Sequence, residues 1–82
     1  MDNKKIIKVY SSPACPYCLA LKKFLKKYSF EFEDIDVSKD KKYIDELMEK
    51  SGQMGVPVIE INGEIIVGFD REKICKILGI KE

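Results

Sequence analysis

The chain of 82 residues has no histidine and only three cysteines. A structural zinc site wants four cysteine or histidine ligands, so this composition argues against one. An odd cysteine count without a secretory signal also argues against a structural disulfide framework. Long apolar runs are missing. Met1-Asp2-Asn3-Lys4-Lys5 leads into a short apolar stretch, with no signal-peptide core and no membrane-spanning segment. Charge of one sign is scarce as well. Fifteen Lys and Arg oppose 14 Asp and Glu, for a formal net charge of +1. No global field points to nucleic acid or a membrane surface. Internal repeats and low-complexity segments are absent.

What remains is a globular composition, with 45% apolar and 35% charged residues. Residues 1–82 are expected to form a single domain, since the length leaves little for another. The lysines cluster on expected helices: Lys22, Lys23, Lys26 and Lys27 on one, Lys41 and Lys42 on the next. Balanced by the acidic residues, they read as solvated faces.

The chemistry gathers at Ala14-Cys15-Pro16-Tyr17-Cys18. A β-branched, apolar run from Lys5 to Tyr10 precedes it and reads as a buried parallel strand. An amphipathic helical run, Leu19 to Tyr28, follows. The cysteine pair therefore sits where a strand hands over to a helix, and C-x-x-C in that setting reads as a redox motif. Pro16 lacks an N–H and has a fixed φ, which suits the first helical turn. Cys15 then falls at the helix N-terminus, where free N–H groups and the macrodipole stabilise a thiolate. Cys18 follows one turn later on the same side, within reach of a disulfide. Cys15 is the expected attacker and Cys18 the expected resolver.

Along the chain, Ser11 to Ala14 reads as the loop into the helix, whose inward face is Leu21, Phe24, Leu25 and Tyr28. Ser29 breaks the run. Phe30 to Val37 alternates apolar and acidic residues, as in an edge strand with one wet side. Ser38 and Asp40 offer caps for a helix from Lys41 to Lys50, with Ile44, Leu47 and Met48 as its core stripe and Gly52 as its stop. Met54 reads as filler in the following loop. Two β-rich runs flank Asn62-Gly63, a two-residue hairpin turn with positive φ at both positions. Pro57 opens the first of them, where a missing N–H is tolerable. Asp70 can cap a last helix in which Ile74, Ile77 and Leu78 face inward, and Gly79 ends it. Cys75 on that helix reads as a buried small hydrophobe, or else as a regulatory thiol. The order is β-α-β-α-β-β-α. The crossover rule makes the first two strands parallel, and the expected sheet order is second, first, third, fourth.

With this order and C-P-Y-C after the first strand, the chain resembles a glutaredoxin from Ile6 to about Leu78. Val56-Pro57 resembles the V-P step that carries a cis-proline opposite the active cysteine. Gly68-Phe69-Asp70 resembles the glycine-containing turn before the last helix. The resemblance implies a thioredoxin-like α/β fold, a four-stranded mixed sheet with three helices. It also implies a substrate groove formed by Tyr17, Gln53, Val56, Pro57, Phe69 and Asp70. In that groove Tyr17 would be a wall, Gln53 would meet the glycine carboxylate of glutathione, and the Val56 backbone would meet the bound peptide. Asp70 would meet the γ-glutamyl end, besides capping its helix.

Three positions depart from the family pattern. Ser12 stands where many members carry lysine, Gly55 where threonine is usual before V-P, and Arg71 where a second acidic residue is common. The resemblance extends to small redoxins that take electrons from a flavoprotein reductase and serve ribonucleotide reductase. The expected function is a cytoplasmic, monomeric thiol–disulfide oxidoreductase with no bound cofactor or metal and with glutathione as co-substrate. Its partners would be disulfide-containing proteins and glutathione or a thioredoxin-type reductase. The alternative is a non-catalytic module, a redox-sensing adaptor or a cluster carrier. The proline after Cys15 counts against the cluster by resemblance.

Overall fold

The structure, a computed structural model, describes residues 6–53 and 55–81. Lys5, expected to begin the first strand, and Met54, expected as loop filler, lie outside the described residues. Seven elements follow in the expected order: β1 (Ile7–Ser11), α1 (Pro16–Lys27), β2 (Glu33–Asp36), α2 (Lys41–Ser51), β3 (Val58–Ile61), β4 (Glu64–Val67) and α3 (Arg71–Leu78). The sheet runs β2-β1-β3-β4. β1 pairs parallel with β2 and antiparallel with β3, and β3 pairs antiparallel with β4. This is the thioredoxin-like fold.

The period-2 alternation of the strands sorts the core into two layers. Ile7, Val9, Ile59, Ile61 and Ile66 point to one face, where Leu21, Phe24 and Leu25 of α1 and Ile74 and Leu78 of α3 cover them. Tyr10 and Val58 point to the other, where Leu47 of α2 meets them with Ile35 and Val37. A partly buried polar network fastens α2 to this second face. The Tyr10 hydroxyl donates to Glu46 Oε1 at 2.7 Å, and Lys50 Nζ donates to the Tyr10 hydroxyl at 3.1 Å and to Glu60 Oε1 at 2.6 Å. Burial first, then the hydrogen bond to Glu46, raises the Tyr10 pKa, with Lys50 opposing.

Local chemistry sets the ends. Ser29 takes φ +62°; its N–H donates to the Lys26 carbonyl and that of Phe30 to the Leu25 carbonyl, closing α1 with a Schellman-type stop. Asp40 Oδ1 caps α2 through the Lys42 N–H at 3.0 Å, and Asp70 Oδ1 caps α3 through the Lys73 N–H at 3.2 Å. Asn62 and Gly63 both have positive φ, as a two-residue hairpin turn requires.

Four expectations are corrected. β2 is shorter than Phe30–Val37, because Phe30 and Phe32 pack against the α1 layer instead of pairing. Ser11 belongs to β1 rather than to the loop, and its side chain is buried. Met48 is 44% exposed, so Leu47 alone is fully buried on α2, with Ile44 packed beside it. Ser38 caps no helix; its N–H and hydroxyl both donate to Asp36 Oδ1.

Candidate redox site

The turn after β1 closes where the Cys15 N–H donates to the Ser12 carbonyl at 3.2 Å. Pro16 then occupies the first helical position, and Cys15 is the N-cap of α1 with extended backbone angles. Its Sγ accepts from the Cys18 N–H at 3.2 Å. The sulfur thus takes the place usually held by a capping oxygen and answers one of the free donors of the first turn. The same N–H would stabilise negative charge on Cys15, with the helix dipole adding to it. The Cys15 thiol also lies 3.8 Å from the Val56 carbonyl, to which it donates. The Val56–Pro57 bond is cis. Residues 41 positions apart thus meet across the top of the sheet.

The two thiols differ sharply. Cys15 is partly exposed, whereas Cys18 has no exposed surface. Burial first, then the hydrogen bond with Cys15, pushes the Cys18 pKa up to about 12. The Ser12 backbone and the charge of Lys22 pull the other way. The pair is therefore asymmetric: one thiol is reachable from solvent, and one is protected and protonated.

Around the pair, Tyr17 is 68% exposed on the first turn of α1. Gln53 is exposed, and its side-chain amide extends over Gly55, where Nε2 would lie 3.4 Å from an added Cβ. Asp70 is engaged as the α3 cap. Phe69 packs edge-on against Phe24 with ring centroids 5.6 Å apart, which places it against the core layer. Arg71 holds its guanidinium 5.3 Å from the Phe24 ring centroid. Cys75 is half-buried on α3, next to the α1–α3 core layer. Among the described residues, no three His, Cys, Asp or Glu side chains converge as metal ligands do, and no helix is long and apolar enough to cross a membrane.

The family model for glutaredoxin matches residues 7–66, a span that holds both cysteines and the Val56–Pro57 step. The chain belongs to the glutaredoxin family. It is 45% identical over 73 residues to an uncharacterized glutaredoxin-like 8.6 kDa protein in the rubredoxin operon of Clostridium pasteurianum, spanning 89% of this chain and 97% of that relative. It is 44% identical over 61 residues to N-acetyl-S-hydroxy-L-cysteine reductase of Bacillus subtilis, spanning 74% of this chain and 66% of that one. Among solved structures, the thioredoxin-like protein BC3987 superposes with a TM-score of 0.81 at 35% identity, over 87% of this chain and 97% of that one.

For this glutaredoxin-family chain, sequence reasoning missed a polar cluster behind the cysteines. The Ser11 hydroxyl donates to Asp34 Oδ1 at 2.7 Å, and Lys22 Nζ donates to Asp34 Oδ2 at 2.9 Å. Burial alone would raise the Asp34 pKa; the hydrogen bonds from Ser11 and Lys22 outweigh it and hold the carboxyl below its ordinary range. Lys22 is thus tied down, unlike the freely solvated lysine its sequence neighbourhood implies. The one usable signal was its spacing of four from Cys18, which puts both on one helix face.

Proposed function

We propose that this protein is a thiol–disulfide oxidoreductase that cycles Cys15 and Cys18. The observation that carries the reading is the asymmetric pair: an accessible Cys15 at a helix N-terminus, accepting the Cys18 N–H, with a buried Cys18 one turn away. The Cys15 thiolate attacks one sulfur of a substrate disulfide, and the other sulfur leaves as a thiolate. Cys18 then loses its proton, attacks the Cys15 sulfur and expels the second substrate thiol. The substrate has gained two electrons and the protein holds a Cys15–Cys18 disulfide. Two glutathione thiols, or the dithiol of a flavoprotein reductase, return the electrons.

Protein disulfides and glutathione mixed disulfides are the proposed substrates. The backbone at Val56 borders Cys15 and offers an extended chain the hydrogen bonds of an added strand. The exposed Tyr17 would supply an aromatic wall, and Gln53 and Asp70 would complete the groove that the family resemblance implies. The protein would act as a monomer in a reducing compartment such as the cytoplasm. The test is a coupled turnover assay with two reductants. Glutathione is offered to the oxidised protein in one cuvette, and NADPH with a thioredoxin reductase in the other. Turnover with either supports the enzyme; turnover with neither, on any small disulfide, overturns it.

The likeness to the Bacillus subtilis reductase favours a second substrate class. Its name describes a cysteine derivative with a hydroxylated sulfur. The same dithiol can reduce such a sulfenic acid: Cys15 attacks the sulfur, water leaves, and Cys18 resolves the mixed disulfide. Loss of a small sulfenic acid on mixing with reduced protein, absent in Cys15→Ser, would support this reading.

A further inference from the structure

The dithiol reading leaves a difficulty at Cys18, and the inference drawn here rests on that reading. The resolving thiol must lose its proton inside a site without solvent exposure. Burial and Cys15 both oppose this, while the Ser12 backbone and, less strongly, the charge of Lys22 favour it. Once Cys15 is joined to substrate, its sulfur carries neither a proton nor a charge, so its opposition ends. The burial cost stays, and the positive charge of Lys22 still acts on Cys18 to oppose it.

The geometry around Lys22 is built rather than incidental. It lies four residues beyond Cys18 on α1, the spacing of neighbours on one helix face. Its ammonium is fixed by Asp34 of β2 at 2.9 Å, and Asp34 is fixed in turn by the buried Ser11 at 2.7 Å. Ser11 is followed directly by Ser12, whose carbonyl closes the Cys15 turn. The lysine side chain is 21% exposed and the Asp34 side chain 45%, so water screens the carboxylate more than the ammonium. Asp36 of β2 also feels the Lys22 charge, though its carboxylate accepts from the Ser38 N–H and hydroxyl, and the charges of β3 and α3 are engaged elsewhere. Glu60, the ionisable residue of β3, is held by Lys50 on the opposite face of the sheet, and Arg71 of α3 is held over Phe24.

We propose that Lys22 is a positioning residue for the resolving step: its ammonium, fixed by Asp34 one helical turn beyond Cys18, stabilises the Cys18 thiolate as it forms to attack Cys15. The electron bookkeeping is that of the dithiol reaction. Lys22 stays protonated throughout, and the Cys18 proton passes to solvent or to the departing thiolate.

The test uses dithiodipyridine, an uncharged disulfide, with the full chain carrying Cys75→Ser to silence the third thiol. Attack by Cys15 releases one thiopyridone in a phase that depends on reagent concentration. Resolution by Cys18 releases a second in a phase that does not. Each tenfold loss of thiolate should slow resolution about threefold, because a more basic thiolate is also a better nucleophile. Lys22→Met should slow the second phase about threefold or more, shift its pH profile to higher pH and leave the first phase within about twofold. Lys22→Arg, which keeps the charge, should restore the second phase. A second phase in Lys22→Met with the wild-type rate and pH profile would overturn the proposal. So would equal loss in Lys22→Arg and Lys22→Met, which would show that shape and not charge matters. Absence of any second release from the protein with Lys22 intact would instead overturn the dithiol reading itself.

Discussion

Site-resolved alkylation of the reduced wild-type protein should separate the two active-site thiols by a wide margin. Near pH 7.5, a thiol with an ordinary pKa of about 8.5 is roughly 10% thiolate. Cys18, with its pKa pushed up to about 12, would be roughly 0.003% thiolate at that pH. The ratio is about 3,000-fold. A more basic thiolate is more nucleophilic with a Brønsted slope of about 0.4–0.5, which returns about 40-fold. Titration alone therefore leaves Cys18 roughly 80-fold slower than an ordinary thiol, and its complete burial slows it further. The assay is a timed pulse of iodoacetamide followed by mass spectrometry of the three cysteine peptides. Wild type is the right subject, because Cys15 itself contributes to the raised pKa of Cys18. Cys15 should label first, and Cys18 should remain unmodified over many half-lives of Cys15. Labelling of Cys18 as fast as Cys15 would refute the assignment of roles.

Three further outcomes follow from named contacts. Tyr10→Phe keeps the buried ring but removes the hydroxyl shared by Glu46 and Lys50, so urea denaturation should show a loss of about 1–2 kcal/mol; an unchanged midpoint would deny that the network holds α2 to the sheet. Ser11→Ala removes a donor to Asp34 and should cost about 1 kcal/mol near neutral pH, discounted because the carboxylate is half exposed. The folded-state pKa of Asp34 is depressed, so its contribution is present above the unfolded value of about 3.9 and is lost as pH falls through the folded value. The Ser11→Ala deficit should accordingly shrink in acid, and a deficit that grew there would contradict the sign. Gly55→Thr restores the residue usual in the family at a position with room for a Cβ, where the Gln53 amide at 3.4 Å is the closest neighbour. It should leave the melting temperature unchanged or higher, since less chain entropy is lost on folding, and lower the KM for a glutathione mixed disulfide.

Much of this was legible because the signals were local. Asn62-Gly63 can hardly be other than a tight turn, and Asp40, Asp70, Gly52 and Gly79 act as caps in the structure as their residue types imply. The cysteine pair and Pro16 define an α1 N-terminus without help from the rest of the chain. The failures were non-local. Phe30 and Phe32 alternate with acidic residues as a strand would, yet the hydrophobic layer beside α1 takes them from the sheet. Met48 has the right helical phase but lies beyond the rim that Leu47 reaches. The Ser11–Asp34–Lys22 cluster joins three elements through bonds spanning 23 and 12 residues, and no pattern within one element announces it. The Val56 contact with Cys15 spans 41 residues, and only the family resemblance put the Val56–Pro57 step opposite that cysteine.

The most direct test of the central claim is to trap the first covalent intermediate. Cys18→Ser is mixed with oxidised glutathione, and the adduct is located by peptide mass spectrometry under non-reducing conditions. Cys15 should carry a stable glutathione adduct in Cys18→Ser, the same adduct should vanish in wild type as the internal disulfide forms, and Cys15→Ser should form none at the motif. An adduct on Cys18 in Cys15→Ser at a comparable rate, or disulfide turnover that survives Cys15→Ser, would contradict the account.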